Sequence, residues 1–369
     1  MIPFQDLERE YLATQADLEP ALLKVFASGK YILGEETTEL EERWAEYCGT
    51  SGAVLVGNGT DALTIALGAS GVIRAGRGDE VITSALGSAF TGLAILRAGA
   101  RPVFADVDPE TLLLTPATLE RVLTPKTRAI IPVHLYGLPC DMAGIMELAR
   151  RHHLAVIEDA CQAHGARVCA DGWRRAGSVG LAGAYSFYPT KNLACLGDAG
   201  AIVSSDRGLI ERAHILRNGG QQDRDYTLLE GLNSRCDEIQ AAILNRKLPC
   251  LDGWNELRRS LAARYRQRLR LPGLRFQAVP PDREPVYHLF VIRHRRRDRL
   301  QAHLRKRGIE TLIHYRMALH RQPAFENPAQ PPCPEAEQAV SEILSLPLYR
   351  TLSESALEKV VHAVNEFAD

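Results

Sequence analysis

The chain lacks the features that mark several large classes of protein. It has eight cysteines in 369 residues (Cys48, Cys140, Cys161, Cys169, Cys195, Cys236, Cys250 and Cys333), but no C-x-x-C pair among them. Scattered thiols in so large a chain are the usage of a reducing compartment, not of a disulfide framework. No stretch approaches the roughly 20 apolar residues of a membrane span, so no membrane partner is expected. Met1–Leu12 mixes acids with its apolar residues and has no signal-peptide core, and a cytoplasmic protein is expected. An excess of one charge is also missing: 44 Lys and Arg face 45 Asp and Glu, a formal net charge of −1. That balance withholds the electrostatic footing of a nucleic-acid binder. The single basic run, His294-Arg295-Arg296-Arg297-Asp298-Arg299, reads as a solvated turn. Neither a repeat of fixed period nor a low-complexity tract is present, which sets aside solenoids and disordered tails.

What the chain does have is apolar residues, 46% of the total, enough for a large core. They fall in short runs at Ala53–Val56, Glu80–Thr83, Pro102–Ala105, Ala129–Val133, Ala155–Ile157, Ala184–Phe187 and Ala199–Val203, mostly bounded by Gly, Asp or Pro. Seven runs of strand length predict one large central sheet. Between them lie helix-period segments, Asp61–Ala69, Ala89–Ala98, Pro116–Leu123 and Met142–His152, the third opened by Thr115 as cap with Pro116 in its first turn. Such alternation predicts parallel crossovers covering both faces of the sheet. The character changes near Leu248–Gly253. Trp254–Arg270 reads as one long amphipathic helix, with Leu257, Leu261, Tyr265 and Leu269 four apart. After the breakers Pro272, Gly273, Pro280 and Pro281, Tyr287–Arg293 reads as a strand feeding the helix Asp298–Arg307, and Glu354–Phe367 as the last helix. A large domain over 1–250 and a small α+β domain over 251–369 are expected.

Three stretches carry chemistry. Gly57-Asn58-Gly59-Thr60-Asp61-Ala62-Leu63 sits where a strand gives way to a helix. Its glycines allow a sharp turn, and the free N–H groups of the helix start attract a phosphate. An ordinary capped helix after a tight turn has the same local pattern. Val156-Ile157-Glu158-Asp159 ends a buried strand in a carboxylate, the place where open α/β sheets meet ligands. Asp159 there could keep a cationic heterocycle protonated, or simply cap the next turn. Asp159, Cys161 and His164 match no standard zinc spacing, so no metal is expected. Tyr185-Ser186-Phe187-Tyr188-Pro189-Thr190-Lys191-Asn192-Leu193 offers a lysine in a partly apolar turn, where an amine loses its proton more readily and can attack carbonyls. Together the three are the protein parts that pyridoxal phosphate requires: a phosphate cup, a partner for the ring nitrogen and an amine.

In these stretches, and from Pro3-Phe4-Gln5-Asp6-Leu7 through Gly231-Leu232-Asn233-Ser234-Arg235 to Leu344-Ser345-Leu346-Pro347, the chain resembles the DegT/DnrJ/StrS sugar aminotransferases. These are pyridoxal 5'-phosphate enzymes of fold type I, the aspartate-aminotransferase fold. The resemblance implies an α/β large domain built on a seven-stranded, mostly parallel sheet, followed by a smaller C-terminal α+β domain. It assigns the lysine that forms the internal aldimine to Lys191, the pyridine-nitrogen partner to Asp159 and a cofactor contact to Gln162. Gly59, Thr60 and Ser186 match phosphate contacts, and Asn233 matches an asparagine that reaches the phosphate from the neighbouring subunit. A homodimer with shared active sites follows. Tyr188, Asn192, His314 and Tyr315 fall where relatives meet the sugar. The dehydratases of this superfamily carry His in place of the lysine, so Lys191 argues against that activity.

The chain also departs from the family pattern. In the gapless register Ser88 stands where an aromatic ring usually stacks on the cofactor, with Phe90 two residues away; Cys161 replaces a common Ala. The form Ser186–Leu193 followed by Gly197-Asp198-Ala199-Gly200 resembles the branch that aminates C3 of keto sugars more than the C4 branch. The implied reaction takes the amino group of L-glutamate onto the cofactor, giving pyridoxamine 5'-phosphate, and passes it to a nucleotide-linked keto sugar. Arg217, Arg224, Arg235 or Arg316 could meet the diphosphate. A 4-keto nucleotide sugar, a free keto-cyclitol and a non-enzymatic cofactor-binding regulator are the alternatives.

Overall fold

A computed structural model of the protein describes residues 1–74 and 76–368. All seven apolar runs become strands of one sheet, in the spatial order Gly52–Val56, Gly200–Ser204, Ala182–Ser186, Ala155–Asp159, Thr127–Ile131, Glu80–Ser84, Arg101–Ala105. Neighbours pair in parallel except around Gly200–Ser204, which runs antiparallel to both of its partners. Period-2 alternation sorts side chains between two cores. Val54 and Val56 join Ala62, Leu63 and Ile202 on one face, under the helices Gly59–Ser70 and Arg207–Arg217. Ala53 and Leu55 join Leu40, Trp44, Tyr185 and Leu244 on the other, under Glu35–Cys48 and Glu238–Lys247. Because six strands share a direction, Val56, Ser84, Asp159 and Ser186 all end at one edge of the sheet. The reversed strand begins at that edge with Gly200, paired to both Val56 and Ser186.

Beyond residue 250 the chain forms the helix Leu251–Arg268, a three-stranded antiparallel sheet of Arg275–Phe276, Phe290–Arg293 and Ile343–Leu346, and the helices Arg297–Lys306 and Glu354–Asn365. Leu261, Tyr265, Ile292, Leu304 and Leu357 share one hydrophobic core with Ile82, Phe104 and Leu148.

Local physics trims some expected elements. The helix expected over Pro116–Leu123 stops at Glu120, although the Thr115–Thr118 capping box and Pro116 start it as read. The strand expected from Tyr287 begins only at Phe290, because Tyr287 has a φ of 44°. The basic run is not wholly a solvated turn. His294 and Arg297 are buried, and the Arg297 guanidinium donates to the carbonyls of Val340 (3.2 Å) and Ile343 (2.8 Å). Among the described residues no helix is long and apolar enough to cross a membrane.

Candidate active site

The shared strand edge opens into a cavity of about 670 Å³. Its floor is the turn after Val56. Asn58 has extended dihedrals and caps the helix Gly59–Ser70, its Oδ1 accepting the Asp61 N–H at 2.8 Å. Helix geometry leaves the N–H groups of Gly59 and Thr60 without intrahelical acceptors, and both residues line the cavity beside Ser186. The cup is tight. A Cβ on Gly59 would lie 2.7 Å from Ser186 Cβ and 2.9 Å from Cys161 Sγ, so only glycine lets the backbone approach this closely. The Ser234 hydroxyl braces the cup from outside, accepting from Gly57 N–H (3.0 Å) and donating to Asp61 Oδ2 (2.7 Å).

Asp159 ends its strand inside the same cavity, buried, with Oδ2 accepting from the Thr91 hydroxyl at 2.7 Å and Oδ1 from the Cys161 N–H at 3.2 Å. Gln162 is clamped from both ends. Its Oε1 accepts the Tyr136 N–H at 2.8 Å, and its Nε2 donates to the Tyr315 hydroxyl at 3.0 Å. Burial pushes the Tyr315 phenol up to about 12, so it stays protonated at neutral pH. Lys191 also lines the cavity, and its ammonium has no hydrogen bond or ion pair among the described residues. Burial lowers its pKa, against the opposing pull of Cys161 and Asp159.

Of the residues expected at a site, Gly59, Thr60, Ser186, Asp159, Gln162, Lys191, Tyr188 and Tyr315 thus share one cavity. Three do not. Asn192 turns away from it: its buried amide donates to Asn255 Oδ1 (2.8 Å) and the Val286 carbonyl (2.9 Å). His314 packs on Phe4, with ring centroids 5.6 Å apart, and bonds Ser345 Oγ at 2.9 Å. Asn233 is exposed, one residue before the brace Ser234. Both Ser88 and Phe90 line the cavity; Ser88 caps the helix Ala89–Arg97, and Phe90 is 63% exposed. Among the arginines suggested for a diphosphate, Arg217 is spoken for, buried and bonded to Glu41 and the Leu55 carbonyl.

Thr91 and Arg97 are polar residues of the cavity that no sequence motif singles out. Thr91 follows the cap Ser88 by three, and Arg97, paired with Asp61 at 3.1 Å, ends the same helix. Helix periodicity alone makes them ordinary, and only the position of that helix at the shared edge exposes their role.

The donor set fits pyridoxal phosphate. A glycine cup at a helix start suits a phosphate, a hydrogen-bonded carboxylate suits a pyridinium, and an unpaired, desolvated amine suits a carbonyl. Among the described residues no group of His, Cys, Asp or Glu is arranged to hold a metal.

Comparison with known proteins agrees with this geometry. The model of the DegT/DnrJ/EryC1/StrS aminotransferase family matches residues 13–365. The chain is 43% identical over 371 residues to the dTDP-3-amino-3,4,6-trideoxy-alpha-D-glucose transaminase of Streptomyces venezuelae, covering 100% of this chain and 96% of the relative. It is 42% identical over 367 residues to the dTDP-3-amino-3,6-dideoxy-alpha-D-galactopyranose transaminase of Aneurinibacillus thermoaerophilus, covering 100% and 99%. Its fold matches the crystal structure of S. venezuelae DesV in complex with a ketimine intermediate at a TM-score of 0.95, with 43% identity over 100% of this chain and 99% of the other. By its residues, its fold and its relatives, the protein belongs to the DegT/DnrJ/EryC1/StrS aminotransferase family.

Proposed function

We propose that this protein is a pyridoxal-phosphate-dependent aminotransferase that moves the amino group of L-glutamate to the 3-keto group of a nucleotide-linked deoxysugar. The observation that carries the reading is the meeting of Asp159, Lys191 and the Gly59 cup in one cavity. Both curated relatives compared above are named for 3-amino sugars, which favours C3 over C4.

When bound, pyridoxal phosphate supplies an electron sink for the substrate carbon that loses its proton. Gly59, Thr60 and Ser186 bind its phosphate through backbone N–H groups and hydroxyls. Asp159, oriented by the Thr91 hydroxyl and the Cys161 N–H, would hold a proton on the ring nitrogen. Lys191 Nζ takes the proton from the donor's α-carbon and returns one to the sugar carbon, a task that its lowered pKa suits. Gln162, locked by Tyr136 and Tyr315, fixes the ring's orientation. Tyr188 and Tyr315 flank the remaining space, where the sugar binds.

Asn233 reaches the phosphate of a second subunit, so the working form is a homodimer with shared sites. Its own exposure and the run of exposed apolar residues Leu23, Phe26, Tyr31, Ile32 and Leu33 within one short stretch of chain support this. We place the boundary between a large cofactor-binding domain (1–250) and a small C-terminal domain (251–369) at the start of the helix Leu251–Arg268, and the protein in the cytoplasm. The test is a panel of dTDP- and UDP-linked 3-keto and 4-keto sugars and a free keto-cyclitol, each assayed with L-glutamate. Preference for the 3-keto nucleotide sugars is expected. Preference for a 4-keto sugar overturns the position, preference for the free cyclitol overturns the nucleotide, and cofactor binding without turnover on any ketone leaves only a regulator.

A further inference from the structure

Glu158 precedes Asp159 on one strand, so the two side chains leave opposite faces of the sheet. The Glu158 carboxylate is fully buried and takes four donors: His134 Nε2 at 2.8 Å and the N–H groups of Gly177 (2.8 Å), Val179 (2.7 Å) and Gly180 (2.7 Å). The His134 ring is equally buried, and its Nδ1 accepts the Cys140 N–H at 3.1 Å. Nδ1 therefore keeps its lone pair, and Nε2 carries the hydrogen that Glu158 accepts. Burial works against the Glu158 charge, but His134 and the backbone donors outweigh it and hold the carboxyl below its usual range.

This anion ties together three segments that each deliver or hold a cavity residue. Its own strand ends in Asp159, whose carbonyl accepts the His134 N–H at 3.1 Å. The His134 segment continues to Tyr136, whose N–H holds Gln162. The turn Gly177–Gly180 leads into the strand Ala182–Ser186, which ends at the cup. We propose that Glu158 is a positioning residue, a buried carboxylate that sets the spacing of Asp159, Gln162 and Ser186, with His134 as the donor that orients it. The proposal rests on the reading of Asp159 as the ring-nitrogen partner.

Substituting Glu158→Gln keeps the shape but leaves one oxygen to face four donors. The holoenzyme variant is expected to lose about 10- to 100-fold in kcat with KM values moved by less than about threefold, because misplacement of a reacting group costs rate more than binding. The visible circular dichroism of the bound cofactor, which reports a fixed orientation, should weaken in parallel, and the Gly177, Val179 and Gly180 amides should exchange hydrogen faster. His134→Leu should reproduce the loss, while His134→Gln, which can accept from Cys140 and donate to Glu158, should recover it. A Glu158→Gln protein with a lowered Tm but normal kcat and circular dichroism would make the carboxylate a mere clip for the turn, and overturn the proposal. If that variant fails to fold, His134→Leu decides: normal kcat and circular dichroism there overturn it equally. Asp159→Asn separates the two levels. Normal turnover in that variant removes the underlying reading, whereas an inactive Asp159→Asn beside a normal Glu158→Gln removes only the positioning role.

Discussion

Gly59→Ala is the sharpest single test of the cup. The added Cβ would sit 2.7 Å from Ser186 Cβ, 2.9 Å from Cys161 Sγ and 3.3 Å from Ser186 Cα. Carbon atoms in contact prefer about 3.5–4.0 Å, so the cup must retreat by about 1 Å. Neither flank yields easily. Ser186 ends a strand paired on both sides, and on the other flank Gly200 lies so close to Asn58 that its own Cβ would overlap the Asn58 carbonyl. Overpacking of this kind costs about 1–3 kcal/mol, which for the cofactor translates into an affinity lower by about 5- to 150-fold. The measurement is pyridoxal phosphate affinity by absorbance titration, with Tm recorded with and without cofactor. Adding Cys161→Ala should recover part of the loss and not all of it, because the Ser186 contact remains. Wild-type affinity and Tm in Gly59→Ala would show that the close approach of the backbone does not serve phosphate binding.

Four further perturbations test other parts of the argument. Lys191→Ala should abolish both the borohydride-fixed cofactor linkage and glutamate-dependent turnover; normal transamination by that variant removes Lys191 from the chemistry. Thr91→Val deletes the 2.7 Å bond to Asp159, and since a hydrogen bond to a charged group contributes about 1.5–3 kcal/mol, kcat should fall about 10- to 150-fold; an unchanged kcat refutes the coupling. Asn192→Ala should lower Tm through the lost bonds to Asn255 and Val286 while leaving the KM values alone, and a selective rise in the KM for the sugar would return Asn192 to the substrate site. His164, fully buried among Trp44, Tyr185 and Phe187, is held by burial at a pKa of about 3 against its usual 6.5. The unfolded chain binds that proton first as pH falls, so stability should drop below pH 6.5 by about 1.4 kcal/mol per pH unit from this group, down to its folded pKa. His164→Phe should flatten the wild-type slope between pH 6 and pH 4 in urea titrations by about that amount per unit; identical slopes would contradict it.

The parts of this molecule that were legible in the sequence are those whose cause is local. Each strand of the central sheet shows as a short apolar run because burial on both faces demands it, and the cup shows because the helix start takes a cap such as Asn58 and the close approach of Ser186 and Cys161 leaves room only for glycine at 59. What depends on partners far along the chain does not show. Nothing in Gly200–Ser204 reveals that it runs against its neighbours, since antiparallel and parallel buried strands share a composition. Arg217 and Arg316 are alike as letters, yet one is buried against Glu41 and the Leu55 carbonyl while the other is exposed. Adjacency misleads in the same way. Asn192 follows Lys191, but side-chain direction is set by the turn that carries them, and the acceptors Asn255 Oδ1 and Val286 O hold it in the core. Glu158 shows the converse. In the sequence it is one more acid before Asp159, and its role emerges only when the turn at 177–180 and the segment at 134 are seen to converge on it. The residues that touch ligand sit in motifs because ligand chemistry restricts them locally; the residues that hold those motifs in register are restricted by the fold, and only the fold identifies them.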